Sequence, residues 1–278
     1  MKKILAIVAL VIISISSFAQ ISGIKVTDEV IIDKLYAGSL SKLQFSTDSL
    51  STTGYTRLTV GAMATYKPVK WISFTSWAIC QTETGTSRTL QQAYLTITPI
   101  KKLSVTIGSM ATLATEQRPL PVTANGQFES VSESQIPGGS LGAKVKYDLS
   151  SSFQLAGGIA VRKGLPEYAG RITYKKVQLS GWYSQCDSLF GAALTVDFKR
   201  VYSTFVFKQK TIADVLTIKL SKDWSLYSDV VYDLSTKKLY SGEIGIMKSF
   251  ESKYLKGLFG LTYDYKLHSV TSYLFIHL

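Results

Sequence analysis

Cysteine and histidine are nearly absent from this chain of 278 residues, which contains two of each. Cys80 and Cys186 lie far apart in the sequence, so they are no disulfide framework. A bridge between them would need an oxidising compartment, and two unpaired cysteines in an apolar wall fit the pattern better. His268 and His277 belong to no metal-binding or catalytic motif. We therefore expect no metal site, no cofactor and no enzymatic activity.

Long apolar runs are missing after the first 20 residues, so the sequence contains no candidate transmembrane helix. Those first residues begin with two lysines, continue with the apolar run Ile4–Ile15 and end with the small residues Ser17 and Ala19. This order is typical of a secretory signal peptide, and the alternative is an N-terminal membrane anchor. We expect residues 1–19 to be removed, so that the mature chain begins at Gln20 and leaves the cytoplasm.

Helical periodicity is the third absence. Short runs instead alternate between apolar and polar residues, as in Leu58 and Val60 against Arg57 and Thr59. Alternation with a period of two predicts half-buried β-strands. The sequence therefore predicts a single all-β domain with about sixteen strands after a periplasmic lead-in at residues 20–34. The expected strands are Leu35–Ser46, Tyr55–Tyr66, Trp71–Gln81, Leu90–Thr98, Leu103–Ser109, Leu141–Tyr147, Phe153–Val161, Tyr168–Tyr174, Val177–Gln185, Leu189–Phe198, Val201–Lys208, Ala213–Leu220, Trp224–Leu234, Leu239–Met247, Leu255–Tyr265 and Val270–Leu278.

Alternation alone does not separate a soluble β-sandwich from a membrane barrel, but three features favour the barrel. The second face of the strands carries Thr, Ser, Gln, Lys, Arg and Gly rather than a second core. Aromatic residues gather at strand ends, and short turns alternate with longer connections, as in outer-membrane barrels. Only a closed barrel leaves no backbone group unpaired in lipid. We therefore expect a transmembrane antiparallel up-and-down β-barrel over residues 35–278.

One stretch, Ala111–Ser140, interrupts the alternation between the fifth and sixth expected strands. It is rich in proline and glycine, and it carries Glu116, Glu129, Glu133 and a single basic residue, Arg118. A long connection without secondary structure inside a compact domain is usually functional. We expect this third outer loop to fold into the lumen and narrow it. The alternative is that it covers the mouth, with its carboxylates merely solvated.

Four basic residues on the polar strand faces are expected to lie across the bore from the carboxylates of that stretch. Charges of opposite sign that face each other in a pore set its ion preference. We therefore expect the pore constriction to be formed by these eight residues together. They are Glu116, Arg118, Glu129 and Glu133 from the long stretch, and Arg57, Lys144, Lys146 and Arg171 from the wall.

The formal net charge is +12, or +10 once the two lysines of the signal peptide are removed (12 − 2). Much of this excess lies in short turns, such as Lys101–Lys102, Lys175–Lys176 and Lys199–Arg200, where anionic headgroups of membrane lipids attract it. Carboxylates on the polar strand faces offset the basic residues of the bore. We therefore expect a weakly selective pore with a slight anion preference, and no nucleic-acid partner. The offsetting carboxylates are Asp197, Asp229, Asp233 and Glu243.

The signal peptide, the sixteen alternating runs, the long connection after the fifth strand and the last strand Ser269–Leu278 resemble those of sixteen-stranded bacterial outer-membrane porins of the Bacteroidota. Such porins usually end in an aromatic residue, and this chain departs from them at Leu278. The resemblance implies an inward-folded third outer loop, a homotrimer, and passive diffusion of small hydrophilic solutes and ions. Two other functions stay open: a plugged barrel with a structural or assembly role, and a substrate-specific uptake channel.

Overall fold

The computed structural model describes residues 21–46, 52–83, 86–110, 140–162, 164–186, 188–252, 256–265 and 268–277. Within these ranges the chain forms a sheet of seventeen β-strands. In this part of the chain, no helix is long and apolar enough to cross a membrane. The strands are β1 Ile21–Lys25, β2 Val30–Ser46, β3 Thr52–Val69, β4 Ile72–Glu83, β5 Thr86–Ile100, β6 Leu103–Met110, β7 Ser140–Ser150, β8 Phe153–Arg162, β9 Leu165–Tyr174, β10 Val177–Ser184, β11 Leu189–Asp197, β12 Val201–Lys208, β13 Thr211–Lys219, β14 Trp224–Asp233, β15 Lys238–Glu251, β16 Lys256–Asp264 and β17 Ser269–His277.

Strands β2 to β17 each pair antiparallel with their neighbours in sequence order. The last strand then returns to the first of this series, where Val270 of β17 lies opposite Phe45 of β2. Every strand of the series therefore has a partner on both sides, and the pairing closes into a ring. The predicted all-β, antiparallel, up-and-down barrel is confirmed, and each expected strand overlaps one of β2 to β17.

The outer face of the ring is apolar and exposed. One row of direct cross-strand partners runs over five consecutive strands, β8 to β12. Its members are 38 to 52 % exposed although all are large and apolar. Because successive side chains of a strand point to opposite faces, the residues between them line the bore. The row consists of Leu155, Ile172, Leu179, Leu194 and Phe205.

The first strand of the ring begins earlier than the sequence analysis expected. β2 begins at Val30 rather than at Leu35, and part of the expected lead-in forms β1, which pairs with residues 31–35 of β2. The register shifts between Ile32 and Lys34, which displaces Asp33 from the ladder. A bulge of this kind interrupts the period of two, and the interruption hides this end of the strand from a reading of the alternation.

The connections at the two ends of the barrel are more alike than expected. At one end, Lys101 and Lys102 alone join β5 to β6. At the other end, β4 ends at Glu83 and β5 begins at Thr86, so this hairpin is equally short. The expected alternation of short and long connections is therefore wrong for most hairpins, and the ends differ chiefly by the stretch 111–139. We call one end the turn rim (residues 70–71, 101–102, 151–152, 175–176, 198–200 and 220–223, with the adjoining strand ends) and the other the loop rim (185–188, 209–210 and 234–237, with the adjoining strand ends).

Candidate functional site in the bore

Hydroxyl groups bond one another across the strands on part of the inner face. Thr65 and Thr75 are direct cross-strand partners whose Oγ1 atoms lie 3.0 Å apart, and Thr65 also donates a hydrogen bond to the carboxylate of Asp33. Thr96 and Thr106 form a second such pair, with 3.2 Å between their Oγ1 atoms. Cross-strand pairs of this type stabilise a sheet. This part of the wall is therefore polar, and its hydroxyls are satisfied.

Three of the predicted basic residues lie on the inner face of β7 and β9. Lys144 is the cross-strand partner of Thr106, and Lys146 is the partner of Ala156. Ala156 in turn lies opposite Arg171. Lys146 and Arg171 therefore occupy one row, two strands and roughly 10 Å apart, and all three basic side chains are half-buried. We call Lys144, Lys146 and Arg171 the basic sector.

A row of carboxylates lies on the inner face of β14, β15 and β16. Asp229 is the cross-strand partner of Glu243, and Glu243 is the partner of Asp264. Each of the three is 1 % exposed, and the hydroxyl of Tyr227 donates to Oδ2 of Asp229 at 2.5 Å. Carboxylates directly opposite each other are an unfavourable arrangement for a sheet unless they serve a purpose, so this row is a candidate functional feature. We call Asp229, Glu243 and Asp264 the acidic sector.

The two sectors lie on opposite sides of the ring. Seven strands separate β7 from β15 in one direction, β8 to β14, and seven separate them in the other, β16, β17 and β2 to β6. A wall of this many strands encloses a space wider than side chains fill. The charge of the bore is therefore divided across its diameter, with positive charge at β7 to β9 and negative charge at β14 to β16.

Part of the inner face is apolar, contrary to expectation. The side chains of Val206, Val215 and Val231 are no more than 1 % exposed and point inward from β12, β13 and β14. The expectation that the inner face carries only polar residues is therefore wrong for these strands. We call this group the inner apolar cluster. It comprises Ala193, Val206, Ala213, Val215, Tyr227, Val231 and Met247, with Trp182 and Leu258 packed against it.

Three of the eight residues predicted for the constriction are thus placed together, as the basic sector. The backbone of Arg57 lies opposite Glu83 in the register of β3 and β4, but its side chain lies outside the described part of the chain. The remaining four residues predicted for the constriction, Glu116, Arg118, Glu129 and Glu133, lie outside the described residues, as do residues 1–20 with the expected signal peptide.

Sequence reasoning missed Asp264 and the supporting role of Tyr227. Asp264 alternates with the outward-facing Leu261 and Tyr263, and this alternation is the signal that identifies it as a bore residue. Asp233, which was expected in the bore, lies at the loop rim. Its Oδ1 accepts a hydrogen bond from the backbone N–H of Ser235 at 2.8 Å and stabilises the turn.

Two polar groups interrupt the outer face. Asp214 points outward from β13, and the Ser203 hydroxyl donates to its Oδ1 at 3.1 Å, which partly compensates the carboxylate. Cys80 is exposed on the outer side of β4, as expected of a wall cysteine. Cys186 lies instead in the connection 185–188, so its expected place in the wall is wrong. Neither cysteine forms a disulfide.

No protein-family model matches this chain, and no curated protein matches it. Solved structures do. The chain is similar to a triple mutant of the porin of Rhodopseudomonas blastica, with 11% identity over 88% of this chain and 98% of the porin, and a TM-score of 0.56. It is also similar to OmpF of Salmonella typhi in complex with daunomycin, with 10% identity over 90% of this chain and 98% of OmpF, and a TM-score of 0.62. At such low identity the likeness shows the fold alone, which is a porin-like β-barrel.

Proposed function

We propose that this protein is a porin, a water-filled barrel through which small hydrophilic solutes and ions diffuse passively across a membrane. The observation that carries the proposal is the exposed apolar row on β8 to β12. Apolar patches of more than a few hundred Å² on a protein surface mark an interaction with another surface. A belt that follows a closed ring of strands fits the hydrocarbon layer of a bilayer, while the charged inner face needs water.

The membrane is the outer membrane of a Gram-negative bacterium. The signal-peptide pattern of residues 1–19 supports export from the cytoplasm, and a closed ring of strands is the β-structure that leaves no edge unpaired in lipid. The resemblance to sixteen-stranded porins of the Bacteroidota supports the same location and a homotrimeric assembly. Outer-membrane lipids are then the partners of the outer face.

The constriction is formed by the third outer loop, Ala111–Ser140, against the wall. In this proposal Glu116, Arg118, Glu129 and Glu133 face the basic sector and Arg57 across the bore. Support comes from the strand ends: Met110 of β6 is 3 % exposed, and Ser140 opens β7 directly opposite it. The stretch therefore leaves and re-enters the wall at one point, on the same strand as Lys144 and four residues before it.

A weak anion preference follows from the unequal access of the two sectors. Lys144 and Lys146 are half-buried, whereas Asp229 and Glu243 are 1 % exposed. An ion in the bore passes closer to side chains that reach water than to covered ones, and the Coulomb energy falls with distance. The basic sector therefore outweighs the acidic sector, although both contribute to the field.

The inner apolar cluster favours a second candidate, a plugged barrel with a structural or assembly role. Side chains as covered as Val215 and Ala213 (both 0 % exposed) do not line open water. A cluster confined to a few strands is compatible with an open bore beside it, and that is why the porin is our first proposal. A lumen filled across its whole width would carry no current.

Single-channel recording separates the two candidates. The mature chain is refolded in detergent and added to a planar lipid bilayer in symmetric KCl. A porin gives steady, stepwise current with a linear dependence on voltage. If the protein inserts, keeps its strand content by circular dichroism and still gives no current, the plugged barrel replaces the porin. A decrease of the ion current when one particular solute is added, but not others, would indicate the substrate-specific channel.

Shortening the long stretch tests the constriction. A variant that lacks residues 119–134 should conduct more than the full-length protein, because the narrowest part of the bore widens. A control variant keeps the length but replaces the same residues by Gly and Ser. It distinguishes the effect of the length of the stretch on conductance from the effect of its side chains. Equal conductance of the shortened variant and the full-length protein would remove the stretch from the constriction.

A further inference from the structure

Basic residues occur in pairs around the turn rim. Five of its hairpins carry two such residues in the turn or the strand ends beside it, and all ten side chains are exposed. Five carboxylates, Glu29, Asp148, Asp197, Asp223 and Glu251, lie at the same level, so the rim has a positive excess. The basic residues are Lys67 and Lys70, Lys101 and Lys102, Lys175 and Lys176, Lys199 and Arg200, and Lys219 and Lys222.

These ten residues make no ion pair within the described part of the chain. The ion pair between Lys25 and Asp28 involves none of them. Among exposed charges, ion pairs contribute little to stability, so pairing inside the protein does not account for the spacing of the basic residues. Their charge is available to a partner outside the molecule.

Exposed aromatic rings lie beside two lysines at this end of the barrel, Lys175 of the pairs above and Lys248 near the end of β15. The ammonium group of Lys175 lies 5.3 Å from the centre of the Tyr174 ring, and that of Lys248 lies 5.4 Å from the centre of the Trp224 ring. Both rings belong to the outer face, where they are 51 and 39 % exposed. Tyrosine and tryptophan on the outer face of a barrel mark the level of the lipid headgroups. The lysines therefore sit at the height of the headgroup phosphates.

The loop rim differs in arrangement. Its exposed lysines in the described residues are Lys210, Lys237 and Lys238, which belong to two hairpins. No cation–π contact holds them against an outer aromatic ring within the described ranges. Among the described side chains, basic residues therefore follow the circumference at the turn rim, whereas at the loop rim they are confined to two hairpins.

We propose that the turn rim is a binding surface for the phosphate groups of an anionic phospholipid leaflet. The proposal rests on the membrane location proposed above and adds which end of the barrel recognises which lipid charge. Paired basic residues at five hairpins face a continuous layer of phosphates, and the adjoining aromatic rings fix the depth at which they meet it. Each lysine near such a leaflet strengthens association by up to about five-fold at low ionic strength.

Spin-labelled lipids measure this preference in the full mature chain. The protein is reconstituted in phosphatidylcholine vesicles, and the motionally restricted fraction of labelled phosphatidylglycerol is compared with that of labelled phosphatidylcholine. The wild type should prefer phosphatidylglycerol, and the preference should fall as NaCl is raised, because salt screens exposed charge. Replacing Lys101, Lys175 and Lys176 together by Gln should clearly lower the ratio of phosphatidylglycerol to phosphatidylcholine relative to the wild type.

A matched triple variant at the loop rim is the control. It replaces Lys210, Lys237 and Lys238 by Gln, which removes the same charge, and it should keep most of the wild-type preference. An unchanged ratio in the turn-rim variant, or an equal loss in both variants, would overturn the proposal and leave the basic excess without a lipid role. Current recorded from the same preparations keeps the two questions apart, since a conducting protein without lipid preference refutes this inference alone.

Discussion

The inner face of the barrel differs between its two sides. From β3 to β9 it carries paired threonines and the half-buried basic sector. From β11 to β16 it carries the inner apolar cluster and the covered acidic sector, with one further threonine pair, Thr195 and Thr204, whose Oγ1 atoms lie 3.1 Å apart. The outer face does not differ in this way, because exposed apolar residues occur on the strands of both sides. One side of the wall therefore resembles the lining of a channel, while the other resembles the core of a folded protein.

This difference indicates that stability and conduction belong to different parts of one sheet. Burial of apolar side chains stabilises a fold in proportion to the area removed from water, and the inner apolar cluster supplies such burial. The polar side contributes hydrogen bonds of small net value and leaves charges near the bore. Substitutions on the two sides should therefore change different measurements.

Removal of a large side chain from the packed side should have the largest effect on stability. Tyr227 is 0 % exposed and belongs to the inner apolar cluster. Tyr227→Ala should lower the free energy of unfolding by about 3–5 kcal/mol, as large-to-small core substitutions do. Denaturant unfolding in detergent measures the change. Tyr183→Ala, at an outer position that is 44 % exposed, is the control and should lose much less; equal losses would contradict the division of the wall.

A smaller loss is expected where a glycine admits an aromatic ring. A Cβ atom at Gly191 would overlap the indole of Trp182, which packs on the inner apolar cluster. Gly191→Ala should cost about 1–3 kcal/mol of unfolding free energy, since overpacking displaces the ring. Gly181→Ala, on the partner strand, meets its nearest atom at 3.8 Å and should be tolerated. If the double variant Gly191→Ala, Trp182→Leu recovers unfolding free energy relative to Gly191→Ala alone, the overlap is with the Trp182 ring.

Charge removal should move ion preference rather than stability. Lys144→Gln with Lys146→Gln should shift the reversal potential in a KCl gradient toward cations. Asp229→Asn with Glu243→Gln should shift it toward anions by less, because those carboxylates are covered. A unit charge at contact distance in water contributes about 1 kcal/mol, which sets an upper limit of about five-fold per charge on the permeability ratio. Shifts of the same sign in both variants would contradict the opposed sectors.

The smallest change is expected in the threonine pairs. Thr75→Val removes the hydroxyl that lies 3.0 Å from Oγ1 of Thr65. The loss should be about 0.5–1.5 kcal/mol, the net value of one hydrogen bond. Thr82→Val, at an exposed outer position of the same strand, should cost nothing or stabilise the protein in detergent. A greater loss at Thr82 than at Thr75 would reverse the assignment of faces.

The strands could be predicted from sequence because their alternation is local. Asp229 and Glu243 could also be assigned to the bore, since each precedes an outward apolar residue, Val230 and Ile244. Their direct pairing depends on the register of β14 against β15, which no single strand specifies. The opposition of β7 and β15 depends on ring closure, which is a property of all the pairings together.

The inner apolar cluster could not be predicted for a different reason. In β13 both faces are apolar, with Ile212 and Leu216 outside and Ala213 and Val215 inside. Where the inward and the outward residues of a strand are both apolar, the sequence shows no alternation from which the two faces could be assigned. The start of β2 was missed for the same reason, because Val30, Ile31 and Ile32 are consecutive apolar residues before the bulge at Asp33.

Modification of two adjacent residues tests the central claim, that water and ions contact one face of these strands and lipid the other. Lys144→Cys and Val145→Cys are made separately in a background that carries Cys80→Ser and Cys186→Ser. Single-channel current is then recorded while a charged, water-soluble thiol reagent is added. We predict stepwise loss of current at position 144 and no change at position 145. Equal responses at the two positions, or no current before the reagent is added, would contradict the account.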